Sequence, residues 1–245
     1  MIERETFISA VALPADEEES REGYPWDLPA VRALAAQPLK LHPHLTYLVG
    51  ENGSGKSTLL EAIAVAAGMN PEGGSSNYRF ATRESHSPLG TWLRLHRGAR
   101  RPRTDFFLRA ESLFTGGTYL ERLPDHPLDA YGGRSLHEQS HGESFLAILL
   151  RRLGADGLYI FDEPEAALST QNCLTFLARV HQLIGGGSQL IVATHSPPIL
   201  AYPDALIYEC NDLGIQPIIY DEAESVRLTR SFLDAPDRFL RDLLK

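Results

Sequence analysis

Apolar positions along the chain fall into short runs of two kinds. Residues 45–49, 158–161 and 189–193 are near-continuous apolar runs of strand length, the pattern of strands covered on both faces in a parallel sheet. Residues 56–67 and 142–153 instead carry apolar side chains at helical spacing, and Ser169 is placed as the N-cap of a further helix running to Ile184. The order strand, helix, strand, helix, strand requires crossover connections, hence a mostly parallel α/β core sheet with helices on both faces. Upstream, residues 7–13 read as a strand and 16–22 as an acidic polar turn. Between 78 and 109, the stretches 91–96 and 106–109 read as antiparallel strands joined by Gly, Pro and Arg turns. Residues 111–123 are expected to be helical and 124–133 a loop. Two short strands, 205–208 and 215–220, precede a charged helical tail to Lys245. The expectation is one domain over 1–245, its core sheet flanked by an antiparallel β lobe and a small helical lobe. At 245 residues and 43% apolar content the chain is long enough to bury such a core.

The apolar runs end in polar chemistry. The run 45–49 stops at Gly50, and residues 50–57 read GENGSGKS, a full match to G-x-x-x-x-G-K-[ST] between a strand and a helix. Its glycines allow backbone shapes that aim several N–H groups at phosphate oxygens, and the helix start adds positive potential. Lys56 reaches the outer phosphates and Ser57 takes Mg²⁺. The ATP-binding set is therefore Gly50, Glu51, Asn52, Gly53, Ser54, Gly55, Lys56, Ser57 and Thr58. The run 158–161 delivers Asp162 and Glu163 at its C-terminal end, where α/β sheets bind ligands. Asp162 suits Mg²⁺ through water, and Glu163 suits polarising the water that attacks a γ-phosphate.

Ser140, His141, Gly142 and Glu143 lie just before the helix that leads to this strand. They resemble the L-S-G-G-Q signature of the ABC-type ATPase superfamily, with Gln139 in place of the leucine and His141 in place of the first glycine. P-loop, signature, Asp-Glu and then His195 follow in that superfamily's order, and the resemblance spans nearly the whole chain. Within the superfamily it is greatest to stand-alone bacterial ATPases of the AAA-21 or "AAA family ATPase" type. The resemblance implies that His195 is the switch histidine, bonding the γ-phosphate and completing a catalytic pair with Glu163. It also implies a head-to-tail homodimer formed on ATP, in which Ser140, His141, Gly142 and Glu143 of one copy touch the nucleotide held by the other. Residues 165–169 take the place of the D-loop, with Ser169 where Asp is commoner. No clear Q-loop glutamine is present. By position Glu111 is the candidate contact to metal or water, with an exposed acid at a helix start as the alternative. Tyr24 and Trp26 precede the P-loop at a distance suited to stacking on adenine, or else form a packed cluster at the edge of the lobe.

Charge narrows the partners. Lys and Arg number 23 against 32 Asp and Glu, which argues against a general nucleic-acid coat but leaves room for a local basic stripe. Arg94, Arg97, Arg100, Arg101, Arg103 and Arg109 form the one basic cluster. On a strand hairpin it would grip a phosphate backbone, with Arg97, Arg100, Arg101 and Arg103 as the candidate DNA contacts; the alternative is a solvated face offsetting the acidic surface. Cys173 and Cys210 lack metal-type spacing and no signal sequence precedes them, which fits a reducing cytoplasm. No apolar run approaches the roughly 18 to 20 residues needed to cross a bilayer, so no membrane insertion is expected. The resulting expectation is a magnesium-dependent ATP hydrolase acting as a switch in DNA repair, genome maintenance or phage defence. The alternatives are the nucleotide-binding subunit of a membrane transporter and an ATP-gated module for a protein effector.

Overall fold

The computed structural model describes residues 6–14, 22–71, 73–74, 87–110 and 141–245. Its largest sheet has six strands in the order β5-β6-β7-β3-β8-β9. These are β3 (Leu45–Val49), β5 (Thr104–Arg109), β6 (Gly157–Asp162), β7 (Gln189–Ala193), β8 (Leu206–Asn211) and β9 (Gly214–Ile218). All neighbours run parallel except β9, which turns back antiparallel on β8. Every residue of β3, β6 and β7 is buried, which is why their sequences show continuous apolar runs rather than alternation.

Successive side chains on these strands serve opposite cores. Tyr47, Val49, Tyr159, Phe161 and Val192 pack with Phe145 of α4 (His141–Arg151) and Phe176 of α5 (Thr170–Gly185). Leu48, Ile160 and Ile191 pack on the other side with Leu59, Leu60 and Ile63 of α2 (Lys56–Ala67) and Val31 and Leu34 of α1 (Pro29–Ala36). The period of two along each strand thus divides the molecule into two layers of helices about one sheet. The N-cap assigned to Ser169 is made, its hydroxyl accepting from Asn172 N at 3.3 Å.

A second, antiparallel sheet of β2 (Leu39–Lys40), β1 (Ile8–Ala12) and β4 (Arg94–Arg97) is tied to the first by Tyr208 of β8, whose hydroxyl donates to Lys40 O at 3.0 Å, and by a buried amide. The Gln189 side chain accepts from Phe7 N (3.1 Å) and Ile8 N (3.0 Å) and donates to Ile8 O (2.8 Å) and His42 O (2.9 Å). A polar residue heading an apolar strand is stable here because both its oxygen and its nitrogen are fully used.

Two sequence expectations are corrected. Residues 106–109 belong to β5 and pair in parallel with β6; they are not the antiparallel partner of 91–96. Phe106, Phe107 and Leu108 are consecutive buried residues, which demands cover on both faces and so a place in the core sheet. The stretch 91–96 is only partly strand. Leu89–Trp92 forms a short helix, α3, whose start Pro88 favours and whose first turn Thr91 closes, donating to Pro88 O through its hydroxyl (2.8 Å) and its N–H (3.0 Å). Consequently the arginines do not share a hairpin: β4 lies in the small sheet and Arg109 ends a strand of the large one. The tail folds as α7 (Glu224–Asp234) and α8 (Pro236–Leu243), after the short α6 (Pro197–Leu200). Residues 111–123 and 124–133, and most of 16–22, lie outside the described residues. Among the described residues no helix is long and apolar enough to cross a membrane.

Candidate functional site

The carboxyl ends of β3, β7 and β6 lie side by side, with Leu48 and Asp162 both paired to Ala193. Gly50, Asp162, Glu163 and His195 therefore emerge at one edge of the sheet. Gly50 has φ 136°, and a side-chain carbon there would sit 2.0 Å from the Cys210 carbonyl oxygen in β8, so only glycine lets the loop leave β3 along this path. The loop then enters α2 at Gly55, also left-handed at φ 97°.

Lys56 is 3% exposed, and its ammonium donates inward to the carbonyls of Gly50 (2.7 Å) and Glu51 (2.8 Å). Burial lowers its pKa, against the opposing pull of Cys210, Glu163 and Asp162. Ser57 Oγ donates to Asp162 Oδ1 at 3.0 Å, joining the first turn of α2 to the end of β6. The other oxygen of Asp162 accepts from Arg109 Nε at 3.0 Å, and the same guanidinium reaches Glu61 of α2 at 3.2 Å.

Glu163 takes a left-handed backbone, φ 50° and ψ 55°, a conformation that is uncommon without glycine and clusters at functional sites. Its N–H is anchored to Ala193 O at 3.0 Å, and its Oε1 lies 3.5 Å from His195 Nε2. That ring nitrogen is buried and has no hydrogen-bond partner. A buried polar atom left open beside a carboxylate is a place for a ligand oxygen or water. The His195 loop is held by Glu165, whose Oε1 accepts from His195 N and from Ser196 N (3.1 Å), while its Oε2 is also buried and unbonded.

The donor set fits a metal-bound triphosphate. Ser57 and Asp162 offer hard oxygen ligands of the kind Mg²⁺ takes, and Lys56 with the loop N–H groups suits phosphate oxygens. Among the described residues no group of three His, Cys, Asp or Glu side chains is arranged to hold an ion alone. A cation here would be shared between protein oxygens and phosphate, as is usual for Mg²⁺.

The remaining candidates are placed as follows. Gly142 and Glu143 begin α4, and a side chain at Gly142 would lie 2.9 Å from Ala167 O, so this start is pressed against the turn Pro164–Ala167 that follows Glu163. Ser140 and Glu111 lie outside the described residues, as does the His141 side chain. Trp26 packs edge-on against Trp92, centroids 5.9 Å apart. Tyr24 is exposed, its hydroxyl 3.4 Å from Thr58 Oγ1 at the start of α2. A cavity of about 490 Å³ opens between the loop residues Glu51, Asn52 and Gly53 and the β8–β9 turn at Asn211, Asp212 and Leu213.

The arginines are largely engaged within the fold. Arg100 pairs with Asp156 and lies 4.9 Å over the Phe7 ring, Arg103 is 3.7 Å from Asp156, Arg97 donates to Ala66 O (3.3 Å) and Arg101 to Gly98 O (3.0 Å). Asp156 precedes β6, so Arg100 and Arg103 sit at the opposite end of the sheet from Asp162, about 20 Å away along the strand. The sequence places Arg109 only within the basic cluster and Glu165 only at the start of the D-loop segment, without the contacts to Asp162 and to His195 N. An arginine ending an apolar strand and an acid just past Asp-Glu-Pro were the signals available.

Comparison with known proteins bears on this site. A family model described as an AAA domain matches residues 29–100, which include the loop and α2. The macrolide export ATP-binding/permease protein MacB of Escherichia coli O157:H7 is 24% identical over 216 residues, covering 76% of this chain and 32% of that protein. MacB of Neisseria meningitidis serogroup A is 28% identical over 183 residues, covering 65% of this chain and 27% of the relative. The chain thus spans about a third or less of the length of these curated relatives. Among solved structures, the SMC head domain from Thermotoga maritima is 17% identical, covering 74% of this chain and 92% of its own, with a TM-score of 0.41. cbiO1 from Clostridium perfringens, part of the ABC transporter complex cbiONQ, is 15% identical with coverages of 82% and 88% and a TM-score of 0.45.

Proposed function

We propose that this chain, a P-loop protein of the ABC-type ATPase superfamily, binds ATP with Mg²⁺ and hydrolyses its terminal phosphoanhydride. The observation that carries the reading is the Ser57–Asp162 contact, which brings the hydroxyl of a phosphate-binding loop onto a strand-end carboxylate. Mg²⁺ held there would neutralise charge on the phosphates. Lys56, whose ammonium lies on the carbonyls of Gly50 and Glu51 inside the loop, is the cation offered to phosphate oxygens there. Glu163 accepts the proton of a water attacking the γ-phosphorus as the bond to the ADP oxygen breaks. His195, 3.5 Å from Glu163, orients that water through its open ring nitrogen.

The reading extends to a homodimer formed head-to-tail on ATP, with Ser140, His141, Gly142 and Glu143 of one copy closing the other's site. Within one copy Gly142 packs on the turn after Glu163, which ties the segment that would reach the other copy's nucleotide to the carboxylate of its own site. Light scattering on Glu163→Gln tests it: a dimer with MgATP and a monomer without is expected, and a monomer in both states contradicts it.

For the process driven, the first reading is a cytoplasmic switch in DNA repair, genome maintenance or phage defence, resting on the arginines around β4. Turnover stimulated by DNA and lost in an Arg97/Arg101 double alanine variant supports it; turnover indifferent to DNA excludes it. The second reading, a transporter's nucleotide-binding subunit, is favoured by the relatives named for macrolide export. Co-purification with a multi-span membrane protein supports that reading, and failure to bind detergent-solubilised membrane partners counts against it.

A further inference from the structure

Arg109 has no assigned part in the chemistry above, yet it is the charged group in closest touch with the metal-binding carboxylate. It ends β5 directly opposite Asp162 in the parallel register of β5 and β6. Its Nε donates to Asp162 Oδ2 at 3.0 Å and its NH1 reaches Glu61 Oε2 at 3.2 Å. The side chains of Arg109, Asp162 and Glu61 are 22%, 5% and 13% exposed, so the group is shielded from solvent. With Ser57 on Oδ1 and Arg109 on Oδ2, both oxygens of Asp162 are engaged. Burial works against the charge on Arg109, but Asp162 and then Glu61 raise its pKa above the ordinary value, so it stays a cation.

A fixed positive charge on a carboxylate that must also receive Mg²⁺ has a definite sign of effect. It supplies the counter-charge that keeps two buried acids compatible while no metal is bound, and it repels the incoming ion. We propose that Arg109 is a placeholder cation: it occupies the metal's electrostatic place on Asp162, gives way toward Glu61 when Mg²⁺ binds, and so sets the Mg²⁺ concentration at which the site loads. The inference rests on the reading of Ser57 and Asp162 as metal ligands. Arg109 acts through Asp162 as a positioning residue. Glu61 is its alternative partner, one helical turn beyond Ser57, and is itself steadied by Ser87 N at 3.4 Å.

The test is a titration of free Mg²⁺ at a fixed concentration of a non-hydrolysable ATP analogue and constant ionic strength, following the unfolding midpoint of the full chain. Arg109→Gln is expected to lower the metal-free midpoint and to reach half its Mg²⁺-induced rise at roughly tenfold lower Mg²⁺ than wild type, from the loss of one near charge. Arg109→Lys, which keeps the charge, is expected to restore most of the wild-type requirement. Glu61→Gln leaves the guanidinium to Asp162 and is expected to shift the half-point to higher Mg²⁺. An Arg109→Gln protein needing as much Mg²⁺ as wild type, or more, overturns the inference. If that variant does not fold, a Glu61→Gln half-point at or below wild type overturns it instead. Binding of MgATP to wild type, measured alongside, keeps the two ideas apart: failure there sinks the proposed function, whereas intact binding with unmoved half-points sinks only the placeholder.

Discussion

Ser57 and Asp162 stand 105 residues apart and share a hydrogen bond of 3.0 Å. One opens α2 and the other closes β6, so the bond exists only because β7 lies between β3 and β6 and brings their carboxyl ends to one edge. A polar contact of this kind, at the end of strands buried on both faces, has little use for stability that an apolar pair would not serve better. On the proposed reading the pair is there to hold a metal ion.

Lys56 is the first point at which that arrangement is testable. Lys56→Ala removes the buried ammonium that lies against the loop carbonyls. Affinity for MgATP, measured by calorimetry, is expected to fall at least about 100-fold, in keeping with roughly 3 kcal/mol for a charge-assisted bond to an anion. The fold should survive, since the loop carbonyls can turn to water.

For Glu163 the expectation separates binding from chemistry. Glu163→Gln keeps shape and burial but cannot take a proton, so steady-state phosphate release should drop by about 10² to 10⁴ while nucleotide affinity stays near wild type. A variant that loses binding and turnover in equal measure would assign Glu163 to structure instead.

Glu165 is expected to matter through the backbone it holds. Its carboxylate accepts from His195 N and Ser196 N, fixing the loop that carries the open ring nitrogen. Glu165→Ala should cost about 1 to 3 kcal/mol in urea unfolding and lower turnover with affinity little changed, while Glu165→Gln, which retains an acceptor oxygen, should recover most of the stability.

Gln189 shows which part of the fold escaped sequence reading. The strands β3 and β7 and the helix α2 were legible to the residue because apolar runs and helical spacing are local signals. The loop residues 50–57 and the pair Asp162 and Glu163 were legible because motif and strand end coincide. The four bonds by which Gln189 fastens the small sheet reach partners 147 to 182 residues away. The same holds for Arg109, whose place beside Asp162 is set by the register of β5 against β6. Residues 106–109 read as part of a hairpin because three apolar residues closed by an arginine do not reveal which strand they will join. Gln189→Leu, leaving the N–H groups of Phe7 and Ile8 buried without acceptors, should destabilise by about 2 to 4 kcal/mol without changing nucleotide affinity per folded molecule.

Cys210 gives an alkaline signature. Burial beneath the loop pushes its thiol up to about 12, from an ordinary value of about 9. A folded pKa raised above the unfolded one means that the native state keeps its proton longer. The stabilising contribution is whole below about 9 and is lost progressively as pH rises from there toward about 12. Cys210→Ala should flatten this part of the stability profile in denaturant melts from pH 8 upward, and the native thiol should resist labelling at pH 8 until the chain unfolds.

The most direct measurement is a crystal structure of the Glu163→Gln protein grown with MgATP. The account predicts the triphosphate wrapped by residues 50–57 and Mg²⁺ about 2.1 Å from Ser57 Oγ, with Asp162 bound to it directly or through one water. A nucleotide seated elsewhere, or a metal that leaves Asp162 beyond the reach of a single water, would contradict it.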